Sequence, residues 1–177
     1  MPVVNPLPKE KASPEVHDLY DKLTKANGFM PAFFGTMAHR PAVFKSFLAL
    51  YAAAINQGTV EPRYKELAYL KTARINGCEY CTRAHTASGK GHGITNEQIA
   101  AIDFFRRSPQ FDEKDKATLL YAERVTRGAS GLRERALEEL SKYYTEDQIV
   151  ELTLVICVAN FTNRFNDAMQ LQPDLGV

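Results

Sequence analysis

The stretch that decides the fold runs from Glu66 to His85 and reads ELAYLKTARINGCEYCTRAH. In its first half Leu67, Ala68, Leu70 and Ala73 recur among polar residues at the spacing of a helix that buries one side. Asn76-Gly77 is a stop signal, because glycine enters the left-handed conformation that closes a helix without a Cβ penalty. Cys78 then opens a second helical stretch, predicted to reach about Ser88 and to stop in Gly89-Lys-Gly-His-Gly93. The segment reads as helix, break, helix, with none of the period-two alternation of a strand.

Punctuation of the same kind continues in both directions. Upstream, Pro62 opens the first of these helices. Pro41 opens an earlier one, ended by Gly58, that carries Phe44, Phe47, Leu48, Tyr51 and Ile55 on one face. Ser13-Pro14 starts a helix closed by Gly28, and Phe29 to Phe34 reads as an aromatic connection. Residues 1–12, with Pro2, Pro6 and Pro8, read as an extended arm lying on the body or on a partner. Downstream, Thr95 with Gln98 and Thr145 with Gln148 are capping boxes. Helices are predicted up to Phe105, over 112–127, from Leu132 to Tyr144, and from Thr145 towards Met169. The expected fold is all-α, one helical domain over 13–177.

A degenerate internal repeat is also legible. Residues 66–85 align without a gap on residues 148–167, placing Leu70 on Leu152, Cys78 on Asn160 and Cys81 on Asn163. The copies span about 41–105 and 112–170, and the shared pattern predicts a helix, a break and a helix in each. Only the first carries paired thiols.

Bulk composition narrows the function classes. The 177 residues carry a net charge of +1, which provides no electrostatic footprint for nucleic acid. The longest apolar run, Leu152 to Ala159, is too short to cross a bilayer. The N-terminus has neither the basic start nor the apolar core of a signal peptide, so a cytoplasmic protein is expected. Three cysteines, an odd count, argue against a disulfide framework. Cys157, within an apolar run, is expected to be inert core, and His17, His39 and His92 are expected at the surface.

Chemistry concentrates at Cys78-x-x-Cys81. Across one helical turn two sulfurs come within bonding reach. A helix N-terminus favours thiolate over thiol, and a second thiol can resolve whatever the first forms. His85, four residues after Cys81, is placed to exchange a proton with that sulfur. Glu66 is a carboxylate on a mostly apolar helix; facing inward it needs a partner, which His85 would supply, and facing outward it would pair with Arg63 or Lys65. Glu66, Cys78, Cys81 and His85 also make four possible zinc ligands, but structural zinc sites more often use two separated pairs, so redox chemistry without metal or cofactor is the preferred reading.

Glu66, eleven residues, Cys78-x-x-Cys81 and then x-x-x-His85 resembles the signature of the alkylhydroperoxidase D-like (AhpD-like) group within the carboxymuconolactone decarboxylase superfamily. The resemblance implies an all-α AhpD-like domain, a homo-oligomer such as a trimer or hexamer, and reduction of a peroxide by the cysteine pair. It assigns attack to Cys81, resolution to Cys78 and the proton relay to Glu66 and His85, with a dithiol or protein reductant restoring the pair. Tyr80 stands where the best-known peroxidase members carry histidine, and its hydroxyl could join the relay. The motif also lies in the first half of this chain rather than the second. The alternatives are a non-enzymatic thiol redox sensor and a decarboxylase-like enzyme on the same scaffold.

Overall fold

Helix α4 (Pro62–Asn76) is the axis on which the molecule is built. In the computed structural model, which describes residues 1–128 and 134–174 (side chains excepted at 134–136), every residue of this helix from Tyr64 to Ala73 is buried. α4 packs against α5 (Glu79–Gly91), α7 (Glu113–Gly128) and α9 (Glu146–Ala168). Ahead of it come α1 (His17–Asn27), α2 (Ala32–Met37) and α3 (Pro41–Asn56); α6 (Asn96–Ala101) and α8 (Glu134–Ser141) complete the set. The described residues are helices, short 3₁₀ turns and loops, with no strand.

A helix buried on all sides must satisfy each polar side chain it carries, and α4 does so. Arg63 forms a two-pronged pair with Asp115 of α7. Lys65 meets Glu151 of α9 at 2.6 Å and donates to the carbonyls of Ala54 and Ile55 at the end of α3. Thr72 returns its hydroxyl to the Ala68 carbonyl at 2.9 Å. Lys71 lies over the Phe105 ring and within 3.8 Å of Glu123. With Arg63 and Lys65 engaged elsewhere, Glu66 is left to a different partner.

The punctuation acts as read at most boundaries. Gly28 and Gly77 take the left-handed conformation after α1 and α4, and Thr95 and Thr145 form complete capping boxes. The arm lies on the body: Val3 N–H bonds the Met169 carbonyl, and Leu7 N–H bonds Gly35.

Five expectations change. Ser13 makes no cap; a 3₁₀ turn at Pro14–Val16 comes first, and α1 starts at His17. The aromatic connection contains helix α2, whose buried Phe33 and Phe34 pack edge-on at 4.9 Å. The helix placed over Leu132 to Tyr144 is described as Glu134–Ser141, and its expected start lies outside the described residues. The break predicted in the second repeat is absent: α9 runs 23 residues through Asn160 and Asn163. Val158 and Ala159 stand where the first copy has Asn76 and Gly77, so nothing stops the helix. Finally, Cys157 is exposed, not core. The apolar run around it is longer than one face of a helix can bury, so one residue in three or four turns outward.

Among the described residues no helix is long and apolar enough to cross a membrane.

Candidate active site

The break between α4 and α5 places the two sulfurs. Gly77 turns the chain, leaving Cys78 as N-cap of α5, and Cys81 follows in the helix's first turn. The backbone N–H of Cys81 points at the Cys78 sulfur at 3.4 Å, and the two sulfurs are 2.9 Å apart. Both are buried, and Cys81, unlike Cys78, lines the cavity in front of the pair. That cavity is about 420 Å³ and is walled by Phe29, Phe33, Phe34, Tyr51, Tyr69 and Tyr80, with His85, Ser88, Asn166 and Asp174 as polar neighbours.

His85 lies one turn beyond Cys81 on the same face of α5 and is 7% exposed. Its Nδ1 is 2.8 Å from Glu66 Oε2, and the other carboxylate oxygen accepts from Ser88 Oγ at 2.8 Å. The imidazole stacks on the Tyr69 ring at 3.4 Å between centroids. It is therefore held at one nitrogen and one face. Burial pushes the Glu66 carboxyl up, but attraction to His85 and the bonds from His85 and Ser88 outweigh it, and the group sits below its ordinary range. Glu66 faces inward, as one of the two sequence readings required.

The cysteines are driven apart in acidity. Cys81 falls to about 7, chiefly because the Cys78 thiol hydrogen-bonds its sulfur, which outweighs burial; the Asn166 and Asn163 amides and His85 add to this. Asn166 Nδ2 is 3.1 Å from that sulfur. Cys78 is pushed up, first by that same bond and then by burial. The bond between them thus favours the thiolate at Cys81 and the proton at Cys78.

Tyr80 is in the cavity wall but outside the Glu66–His85 pair. Its hydroxyl donates to Asp174, whose other oxygen takes the Ala32 N–H at 3.0 Å, and it accepts from Phe33 N–H at 3.3 Å. Burial first, then Asp174, pushes this phenol up, so it stays protonated. Among the described residues no three His, Cys, Asp or Glu side chains converge as a metal cage; Glu66 turns to His85 and Ser88 instead.

Sequence reading brought Glu66, Cys78, Cys81 and His85 together and missed Tyr69, Ser88, Asn166 and Asp174. Tyr69 and Ser88 each lie three residues from a named site residue, Glu66 and His85, so helical spacing could have found them. Asn166 aligns on Ala84 in the repeat, a signal too weak to use. Asp174 has no sequence signal.

An all-helical body presenting a buried dithiol, with one sulfur opened to an aromatic cavity beside a braced histidine, defines a class of thiol-bearing helical proteins. The carboxymuconolactone decarboxylase family model matches residues 41–124. An uncharacterised protein of Cupriavidus necator is 31% identical over 86 residues, covering 48% of this chain and 73% of the relative. A protein of unknown function from Agrobacterium tumefaciens, proposed to be the antioxidant defence protein AhpD, superposes with a TM-score of 0.74 at 28% identity, over 78% of this chain and 95% of its own. The debrominase Bmp8 superposes with a TM-score of 0.84 at 23% identity, over 98% of this chain and 92% of its own. The chain belongs to the AhpD-like group of the carboxymuconolactone decarboxylase superfamily.

Proposed function

We propose that this protein is a thiol-dependent peroxidase in which Cys81 attacks, Cys78 resolves, and His85 held by Glu66 moves the proton. The observation that carries this reading is the division of labour between the sulfurs: Cys81 lines the aromatic cavity, while Cys78 lies behind it at 2.9 Å. The Cys81 thiolate displaces the terminal oxygen of a hydroperoxide. The O–O bond breaks, Cys81 becomes a sulfenic acid, and the departing alkoxide takes a proton from His85. The Cys78 sulfur then attacks Cys81, forming a disulfide, and His85 passes the Cys78 proton to the departing hydroxide, which leaves as water. An external dithiol returns the two electrons. Glu66 keeps the imidazole oriented through Nδ1; Ser88 and the Tyr69 ring fix Glu66 and His85 in turn.

Consumption of an organic hydroperoxide over many turnovers, driven by dithiothreitol, is the test. Wild type should turn over and Cys81→Ser should not. With dithiothreitol left out, Cys78→Ser should consume one equivalent and hold a sulfenic acid that dimedone traps. Turnover by Cys81→Ser would remove the assignment, and a single oxidation without turnover in wild type would favour the redox sensor.

One observation favours a second reading, reductive dehalogenation. Six aromatic rings wall the cavity at Cys81, and the debrominase that superposes along nearly the whole chain has been solved with 2,3,4-tribromopyrrole bound to a Cys→Ala variant. The electron count is the same: Cys81 takes the halogen, the ring carbon takes a proton, and Cys78 displaces halide as the disulfide forms. Bromide release from a bromopyrrole under dithiothreitol separates the two readings.

A further inference from the structure

Helix α9 turns two faces in opposite directions. One carries Asn163 and Asn166 into the core beside Cys81. The other reaches solvent at residues 147, 150, 154, 157, 161 and 164, which are Asp, Val, Leu, Cys, Phe and Arg. Val150 is 59% exposed, Leu154 46% and Phe161 47%. Their spacing alternates three and four residues, the seam of a helix that packs along another helix, not the scatter of isolated surface apolar groups. The neighbouring helix α3 adds half-exposed Val43 and Leu50, and Phe161 already stacks on its Phe47 at 4.9 Å.

The seam is also its own complement. Reversed end to end about the point midway between Leu154 and Cys157, it superposes on itself: Val150 meets Phe161, Leu154 meets Cys157, and Asp147 meets Arg164. Opposite charges thus fall at both ends and apolar groups fill the middle. Any seam of this spacing can lie antiparallel on its own copy; what favours the copy over another partner is that its acidic end then faces its basic end, because about a two-fold axis one patch must match itself. We infer that the outer face of α9 pairs antiparallel with α9 of a second copy of this chain, about a two-fold axis between Leu154 and Cys157. The assembly then contains an even number of chains, and the pairing braces from outside the helix that holds Asn163 and Asn166 against Cys81. This does not depend on what the thiols reduce.

Sedimentation velocity on the full chain at tens of micromolar tests it. The expected mass is that of two chains or a larger even assembly; a monomer or a trimer overturns the inference. Leu154→Glu should at least halve the mass, with Val150→Lys as a second variant should the first fail to fold; an unchanged mass in both excludes this face. Asp147→Arg and Arg164→Asp should each weaken association by roughly tenfold, since each places like charges at both ends, and the double variant should restore it. Failure of the double variant to recover overturns the register. With Cys78 and Cys81 replaced by serine, the paired Cys157 thiols should be joined by a short bifunctional maleimide, because they lie only a few residues apart across the axis. A chain that stays uncrosslinked contradicts the pairing.

Discussion

Cys81 must carry charge in a place where charge is costly, and three neighbours determine whether it can. Cys78, Asn166 and Asn163 each offer a donor or a dipole to its sulfur, and the last two belong to α9, far along the chain. A hydrogen bond to a charged group contributes about 1.5–3 kcal/mol, and 1.36 kcal/mol is one pH unit. Asn166→Leu should therefore raise the midpoint for iodoacetamide alkylation of Cys81 by about one unit or more. The direction follows from the acidity: a thiol lowered to about 7 reacts faster as pH rises through that value and levels off above it, so loss of a donor moves the whole curve to higher pH. An unmoved midpoint would show that Asn166 packs without supporting the thiolate. Glu66→Gln makes a separate expectation. It keeps the shape but removes the carboxylate charge beside His85, and turnover should fall by about 10²-fold at neutral pH, in the range of a lost acid–base contribution, with the alkylation midpoint moved far less. Cys78, Cys81 and His85 were legible in sequence because one helical turn separates each working pair at the start of α5, and Glu66 because a carboxylate stands out among the apolar residues of α4. The amides were not, since nothing local to Asn163 or Asn166 announces that their helix crosses a thiol 85 residues away.

At the scale of elements, two glycines that look alike in sequence carry different demands. Both Gly58 and Gly77 have positive φ, at 102° and 74°. Around Gly77 a Cβ would meet nothing within 4 Å, so Gly77→Ala should cost only the left-handed backbone penalty, about 1–2 kcal/mol. At Gly58 a Cβ would fall 2.2 Å from Glu151 Oε1. That carboxylate also holds the N–H groups of Thr59 and Val60 and the buried Lys65 ammonium. Gly58→Ala must displace it and leave Lys65 short of its counter-charge, at a cost of about 3 kcal/mol or more. Urea titration of the two variants orders them; equal midpoints would mean that Glu151 swings aside freely. Both glycines were readable as helix ends, because glycine's backbone freedom is a local property. That one of them is clamped by α9 was not, because the clamp is a tertiary contact. The unbroken α9 teaches the same lesson in reverse: the repeat alignment extended a break to a copy whose residues at that point, Val158 and Ala159, have every reason to continue the helix.

Across the whole molecule, the cavity at Cys81 is closed by parts of the chain that are remote in sequence. Asp174 holds the start of α2 through the Ala32 N–H and holds Tyr80 of α5 through its hydroxyl, so one carboxylate joins the C-terminal segment, the aromatic wall and the helix that carries the thiols. The sulfur's own chemistry does not pass through this tie. Asp174→Ala should leave the Cys81 alkylation midpoint within a few tenths of a pH unit while loosening the walls that Phe33 and Tyr80 form. For hydrogen peroxide, which needs no wall, kcat/KM should stay within about twofold. For a bulky aromatic hydroperoxide, whose apolar body is held by the rings, it should fall about tenfold, the effect of losing roughly 1.4 kcal/mol of transition-state binding. Parallel loss for both peroxides would instead place Asp174 in the chemistry of the thiol, and equal retention would mean that the cavity does not select substrate by its apolar bulk.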